Sequence, residues 1–283
     1  MSWLILVLVS AFSLSVATLF QRLLLKEEQS DPAAYAAFFQ LLVAVLVFGY
    51  AIFSGGFVLP PLKSLIFNLV LLAVLYAFAD LALFGAFKTV EASEVAVIGA
   101  SRMVWAVIPA IIFLKETLDL NRLAGILLVS AGIIALSLRK GKWNLNKGHL
   151  LVLFSSILLG FAFTNDMFLV SHFEAVSFTA FVFPLPAITI LLFRPKSIPK
   201  LKLFLDARRL SRILIAALFF GIASVTMYLA HKVGGEVSQI GPLSQLSVVL
   251  TVILAYFFLK EKDYLGNKII GAILVFIGAA FLV

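Results

Sequence analysis

Two ionisable residues stand in sequence that is otherwise apolar for many residues on either side. Asp80 falls in the run Tyr76-Ala77-Phe78-Ala79-Asp80-Leu81, and Arg102 in Gly99-Ala100-Ser101-Arg102-Met103-Val104-Trp105. A charge held at mid-depth in hydrocarbon is costly, so its presence points to a partner or to a task. If the two runs are antiparallel neighbours, the charges meet at similar depth as a structural ion pair. Alternatively, Arg102 receives an anionic substrate group while Asp80 exchanges between arginine, proton and substrate. A buried pair adds little stability over an apolar replacement, which favours the second reading.

Asp166, after Thr164-Asn165, is a third carboxylate in apolar sequence and lies nearer the end of its run. It is either a solvated or capping group, or a proton-coupling site at a cavity mouth. Further along, Gln239-Ile240-Gly241-Pro242-Leu243-Ser244-Gln245 combines amides and a hydroxyl with a Gly-Pro pair. Proline removes a helix hydrogen bond and glycine lets another backbone approach. Gln239, Ser244 and Gln245 are therefore candidates to line a cavity, with Gly241 and Pro242 as a hinge. Pro109, Pro184 and Pro186 are further hinge candidates, or static kinks. Gln40, Tyr76 and Trp105 are candidates for the cavity wall, as are Tyr35 and Tyr228, while Ser10, Ser13, Thr18 and Gln21 could edge it.

Other chemistries are poorly served. Cysteine is absent, and the three histidines, His149, His172 and His231, show no metal-ligand spacing. No Gly-x4-Gly-Lys-Ser/Thr run exists to cradle a nucleotide phosphate. The sequence thus predicts no cofactor, no metal and no ATP coupling. The clustered acids and histidines of a lipid-modifying enzyme are also missing.

The elements that must position these residues follow from composition. Of 283 residues, 63% are hydrophobic and 13% charged, against roughly 25% charged in a soluble domain. Lipid is therefore the solvent, and in lipid only helices or closed barrels satisfy the backbone. Apolar runs of helical length fall at 2–24, 33–53, 64–87, 93–114, 119–138, 148–171, 175–193, 211–232, 237–259 and 264–283. The first lacks a basic leader, so it reads as a retained span rather than a signal peptide. The predicted fold is an all-α polytopic membrane protein of ten transmembrane helices. A net charge of +8 then reflects loop placement rather than nucleic-acid binding.

The chain also repeats itself. FLKETLDLNRLAGILLVSAGIIAL at 113–136 matches FLKEKDYLGNKIIGAILVFIGAAFLV at 258–283, with Gly125 and Gly132 in one copy answering Gly271 and Gly278 in the other. Upstream, Glu94-Val95 with Ile98-Gly99 matches Glu236-Val237 with Ile240-Gly241, and Ser244 answers Arg102. Two five-helix repeats result, residues 1–140 and 147–283. Five is odd, so the second repeat enters from the opposite side. Inverted repeats around a midplane site typify secondary transporters. The glycine stripes suit close helix contact, within the chain or as the face of a homodimer. Glu116 and Glu261, at the turn before each glycine helix, read as caps for the helix that follows.

With its 5+5 layout and the Leu-Lys-Glu turn before a Gly-x6-Gly helix in both halves, the chain resembles the EamA-like transporters of the drug/metabolite transporter superfamily. That resemblance implies a basket of helices around a central cavity, and transport of small metabolites, often export, without ATP. A secondary active exporter or exchanger of small polar or amphipathic metabolites, with Asp80 or Asp166 as the candidates for proton coupling, is the leading expectation. A channel or a non-transporting membrane scaffold is the alternative. The partners expected are a small-molecule substrate and membrane lipids, with no nucleic acid.

Orientation follows from loop charge. Connections one, three, five, seven and nine carry 17 of the 22 Lys and Arg; the even ones carry Lys63, Lys115, Arg122 and Lys232, and Arg102 lies within a span. The positive-inside rule then places the odd connections in the cytoplasm of a cell (plasma or inner) membrane and both termini outside, opposite to what the family resemblance implies. In the seventh connection, Phe204 and Leu205 among basic residues suggest either an amphipathic segment dipping into the inner leaflet or a solvated loop.

Overall fold

The computed structural model describes residues 2–27, 30–54, 56–114, 119–139, 142–143, 145–234, 240 and 243–282. The first half comprises α1 (Trp3–Leu25), α2 (Pro32–Ser54), α3 (Ile66–Ala86), α4 (Ala92–Gly99), α5 (Arg102–Leu114) and α6 (Leu120–Ser137). Two-residue strands β1 (Leu138–Arg139) and β2 (Lys142–Trp143) pair antiparallel at the join. The second half holds α7 (Lys147–Val170), α8 (Ala175–Val182), α9 (Pro184–Phe193), α10 (Ala207–Lys232), α11 (Leu246–Leu254) and α12 (Leu265–Leu282).

Each of the ten expected spans is occupied by a helix or a broken pair. Among the described residues, six helical segments are long and apolar enough to cross a bilayer unaided: the first, second, third, sixth, seventh and eighth spans. The fourth is interrupted by a turn at Ala100–Ser101, so its two pieces are α4 and α5. The seventh breaks at Phe183, where Pro184 has no N–H to continue the ladder and begins α9 instead. In the ninth, Gln245 forms a turn just before α11. The fourth and ninth spans, which correspond in the repeat, are therefore both discontinuous close to the cavity described below.

The packing shows the inverted repeat directly. Contact α1 with α10 is matched by α7 with α3, α10 with α2 by α3 with α9, and α1 with α11 by α7 with α5. Among the described residues, the pairings of α2 with α8 and α9, of α6 with α12, and of the fourth span with the ninth through α4 and α11 map onto themselves. Exchanging the halves thus returns the same network, as a two-fold axis between oppositely oriented repeats requires.

Local chemistry sets the helix starts. Asp31 accepts hydrogen bonds from the backbone N–H groups of Ala33 and Ala34 at 3.1 and 2.9 Å and so caps α2. Asn146 accepts from the His149 N–H at 3.1 Å, and the imidazole Nδ1 accepts from the Asn146 N–H at 3.0 Å, closing a capping box on α7. The outer surface is apolar: Phe53 is 91% and Leu192 75% exposed, a display that hydrocarbon tolerates and water does not.

Two open readings are narrowed here. The glycine faces meet each other inside the chain: a Cβ at Gly132 would lie 2.8 Å from the Gly271 carbonyl oxygen, and one at Gly278 would lie 2.8 Å from the Val129 nitrogen. Those surfaces hold α6 to α12, so this close helix contact is made within the chain. Phe204 does not enter lipid; it is fully buried, its ring 5.8 Å from that of Tyr35 and 5.9 Å from that of Phe38. The short 3-10 turns Pro195–Ser197 and Pro199–Phe204 are pinned to the protein by that ring, leaving Leu205 exposed beside it.

Candidate functional site

A cavity of about 310 Å³ lies between the halves, within the range of about 300–1,000 Å³ that suits small-molecule sites. Its walls come from helices of both repeats. On α3 the lining residues Leu72, Tyr76, Asp80 and Leu83 recur every three to four positions, and Phe87 continues the stripe just past its end. On α7, Ser155, Leu159, Phe163, Asp166 and Val170 do the same. Helical periodicity is what aims each stripe inward.

The carboxylates are held by donors from neighbouring helices. The Gln40 amide of α2 donates to Asp80 Oδ2, and Asp80 is buried. Tyr76, one turn before Asp80, donates its hydroxyl to Asp166 Oδ2 at 2.5 Å, and Tyr228 of α10 donates to the same oxygen at 3.4 Å. Asp166 is buried and faces the central cavity rather than a membrane interface. It caps no helix end, since α7 continues to Val170.

Arg102 lines the cavity at the start of α5, directly after the Ala100–Ser101 turn. Among the described residues no carboxylate lies within ion-pair distance of it; Tyr76 is the titratable group near enough to act on it. The structural ion pair between Asp80 and Arg102, the alternative left open by the sequence, is therefore not formed. Gln40 satisfies Asp80 from α2, which leaves the guanidinium turned to the cavity.

Several buried polar atoms around this space have no partner among the described residues: Asp166 Oδ1, Gln40 Oε1, the Ser155 hydroxyl and both amide atoms of Gln245. All four residues line the cavity. Buried polar groups are nearly always hydrogen-bonded, so these atoms, enclosed in the wall itself, leave unspent hydrogen-bonding capacity on four residues that line one cavity. One guanidinium and two carboxylates sit within the same walls. Phe39, Phe84, Phe183 and Phe220 supply apolar surface between them.

The other sequence candidates fall as follows. Ser244 and Gln245 line the cavity and are buried. Pro186 lines it in the first turn of α9. Ser10, Thr18 and Gln21 edge it on α1. Trp105 is absent from the lining; its Cβ faces α7 at Gly160, and its indole N–H is buried without a partner. Pro109 is buried inside a continuous α5, so the break in that span lies at Ala100–Ser101 instead. Gln239, Gly241, Pro242 and Glu116 lie outside the described residues. Tyr35 is buried against Phe39, Phe84 and Phe204, away from the lining. No group of His, Asp and Glu among the described residues is placed to hold a metal ion.

Sequence reading missed Ser155 and Ser156. The signal was there, since a Ser-Ser pair in Leu-Phe-Ser-Ser-Ile-Leu lies at helical spacing from Phe163 and Asp166. Of the lining residues His231, at the end of α10, is the exposed one. The cavity therefore reaches solvent toward the eighth connection.

Comparison with known proteins bears on both fold and class. The EamA-like transporter family matches residues 1–138 and 146–283. A crystal structure of a protein superimposes with a TM-score of 0.67 at 16% identity, over 98% of this chain and 95% of the other. That similarity concerns the fold. No curated protein matches the sequence.

Proposed function

The chain belongs to the EamA-like transporter family, and from that premise we propose that it is a secondary active transporter of small polar or amphipathic metabolites. The observation that carries this is one cavity between inverted halves whose walls hold Arg102, Asp80 and Asp166, with partnerless polar atoms on Gln40, Ser155, Asp166 and Gln245 enclosed in the same walls. Alternating access needs a central site reached from either face in turn, and discontinuous fourth and ninth spans beside that site give the backbone places to bend.

In this reading Arg102 receives the anionic group of the substrate. Asp80, shared with Gln40, and Asp166, shared with Tyr76 and Tyr228, are the proton-coupling groups. Export or exchange is the direction favoured by the family resemblance. A pore is less well supported, because buried residues close the cavity at the end away from His231. In proteoliposomes screened with amino acids, nucleosides, sugars and cationic drugs, Arg102→Ala and Asp80→Asn should each lower flux at least tenfold while the melting temperature is retained. Normal transport by both variants overturns the midplane site.

The basic odd connections support an orientation with the odd face toward the cytoplasm and both termini outside a cell membrane. A reporter that is active only in the cytoplasm, fused after Val283, should stay silent. A strong signal reverses the orientation.

A further inference from the structure

At the end of the cavity away from His231 the path is closed by Gln21, Phe84, Phe87, Val95 and Thr251, all buried. Against this floor stands a second cluster of ionisable groups that substrate binding does not use. Glu261, 8% exposed, accepts hydrogen bonds from the backbone N–H of Ala92 at 3.0 Å, from that of Ser93 at 3.2 Å and from the Ser93 hydroxyl at 2.6 Å. Its expected role as a cap for the following helix is thus replaced by one across the molecule, at the start of α4 in the opposite half. Lys268 of α12, almost wholly buried, donates to Glu91, the residue that precedes α4. His149 of α7 lies 3.4 Å from Glu94 of α4. Arg22 of α1 donates to the Phe87 carbonyl in the floor itself.

We propose that this cluster is the latch that shuts the odd-connection end of the transport path, with Glu261 as its central gating residue. Three observations converge on it. Its contacts through Glu261, Lys268 and His149 each join the second half to the first, so the halves cannot part at this end while they stand. They lie directly behind the cavity floor, whereas the opposite end reaches solvent at His231. And the chemistry is of a kind that opens. A seam meant to stay closed is made as α6 and α12 make theirs, with backbone packed on glycine. Buried charges are stable when fully paired or when fully hydrated, and poorly stable between. A charged seam therefore has two discrete arrangements rather than a continuum, as a gate requires.

The proposal rests on reading the cavity as a transport path, but its test needs no substrate, so a failed latch and a failed transport assignment are told apart. The chain has no cysteine, so single cysteines report cleanly. Thr251→Cys marks the closed floor and Met227→Cys the open end. In lipid nanodiscs, where both faces meet solvent, each is reacted with a charged, water-soluble maleimide. The Thr251→Cys chain should react at least about tenfold more slowly than the Met227→Cys chain. Adding Glu261→Gln or Lys268→Met removes charge-assisted hydrogen bonds whose loss shifts a two-state equilibrium about tenfold or more. The Thr251→Cys rate should then rise about tenfold while the Met227→Cys rate holds or falls. If Glu261→Gln does not fold, Lys268→Met alone decides. A Thr251→Cys rate within twofold of the parent in a folded variant overturns the latch. A rise at both positions together marks general loosening and also overturns it.

Discussion

Gly160 is the position at which α7 supports the helix that carries Arg102, and Gly160→Ala tests whether that support sets transport. A Cβ there would lie 2.6 Å from Trp105 Cβ, 2.7 Å from the Arg102 carbonyl oxygen and 2.9 Å from the Ala106 nitrogen. Two of these are backbone atoms, so no rotamer change relieves the clash. Restoring ordinary carbon contact near 3.5 Å requires α5 to retreat by about 0.8 Å. Overpacking of this kind costs about 1–3 kcal/mol, and the better helix propensity of alanine returns about 1 kcal/mol. The net loss of roughly 0–2 kcal/mol leaves the chain folded. Function is hit harder, because Arg102 heads the displaced helix. Misplacing a positioned group by about 1 Å costs up to about 100-fold, so flux should fall about 10- to 100-fold with melting nearly unchanged. Two controls calibrate the result. Gly49→Ala, whose Cβ meets nothing within 4 Å, should transport normally and melt no lower. Gly132→Ala, with the same kind of clash between α6 and α12, should lower melting without a specific loss of flux. Wild-type flux from folded Gly160→Ala would refute the claim that the seating of α5 sets the site.

Two further outcomes are expected. Tyr76→Phe removes the 2.5 Å donor to Asp166, while Tyr228→Phe removes one at 3.4 Å; the first should lower flux about tenfold and the second much less, and equal effects would sink the assignment of Tyr76 as the holder of Asp166. Outside the spans, burial pushes the Asp31 carboxyl up, but hydrogen bonds from Lys200 and the Ala34 N–H outweigh it and hold it below the ordinary 3.8. Asp31 therefore adds stability that is complete above about pH 4 and is lost as the pH falls through its depressed value. Melting followed from pH 6 to pH 3 should drop less steeply for Asp31→Asn than for the parent.

The ten spans were legible because lipid removes almost all charge from them, and the repeat was legible because its Leu-Lys-Glu turn and paired glycines survive in both copies. The pairing of Asp80 was not. Gln40 is one neutral amide in an apolar helix, and nothing in its neighbours shows that it reaches Asp80 before Arg102 can. Pro109 is the hinge candidate that the sequence of the fourth span offers, because proline interrupts helices, yet Ala100–Ser101 turns without one. Glu261 was read as a local cap, since its true partners Ala92 and Ser93 lie about half the chain away and meet it through inverted symmetry. Local composition leaves Phe204 either in the leaflet or in a solvated loop, and the pocket that takes it is built by Tyr35 and Phe38 of α2. In each case the missing information was a contact between elements remote in sequence.

The self-matched pairings carry a thermodynamic consequence. When the two faces of such a molecule exchange roles, the α6–α12 contact and the contact of α2 with α8 and α9 map onto themselves. Whatever free energy they contribute is common to both orientations and cancels from the equilibrium between them. A ligand or a contact shifts such an equilibrium only by its difference between the two states. The glycine seam can therefore be as tight as packing allows without slowing the cycle through a preference for either side. The resting population is left to features without an equivalent mate, chief among them Arg102, which the second repeat answers with Ser244.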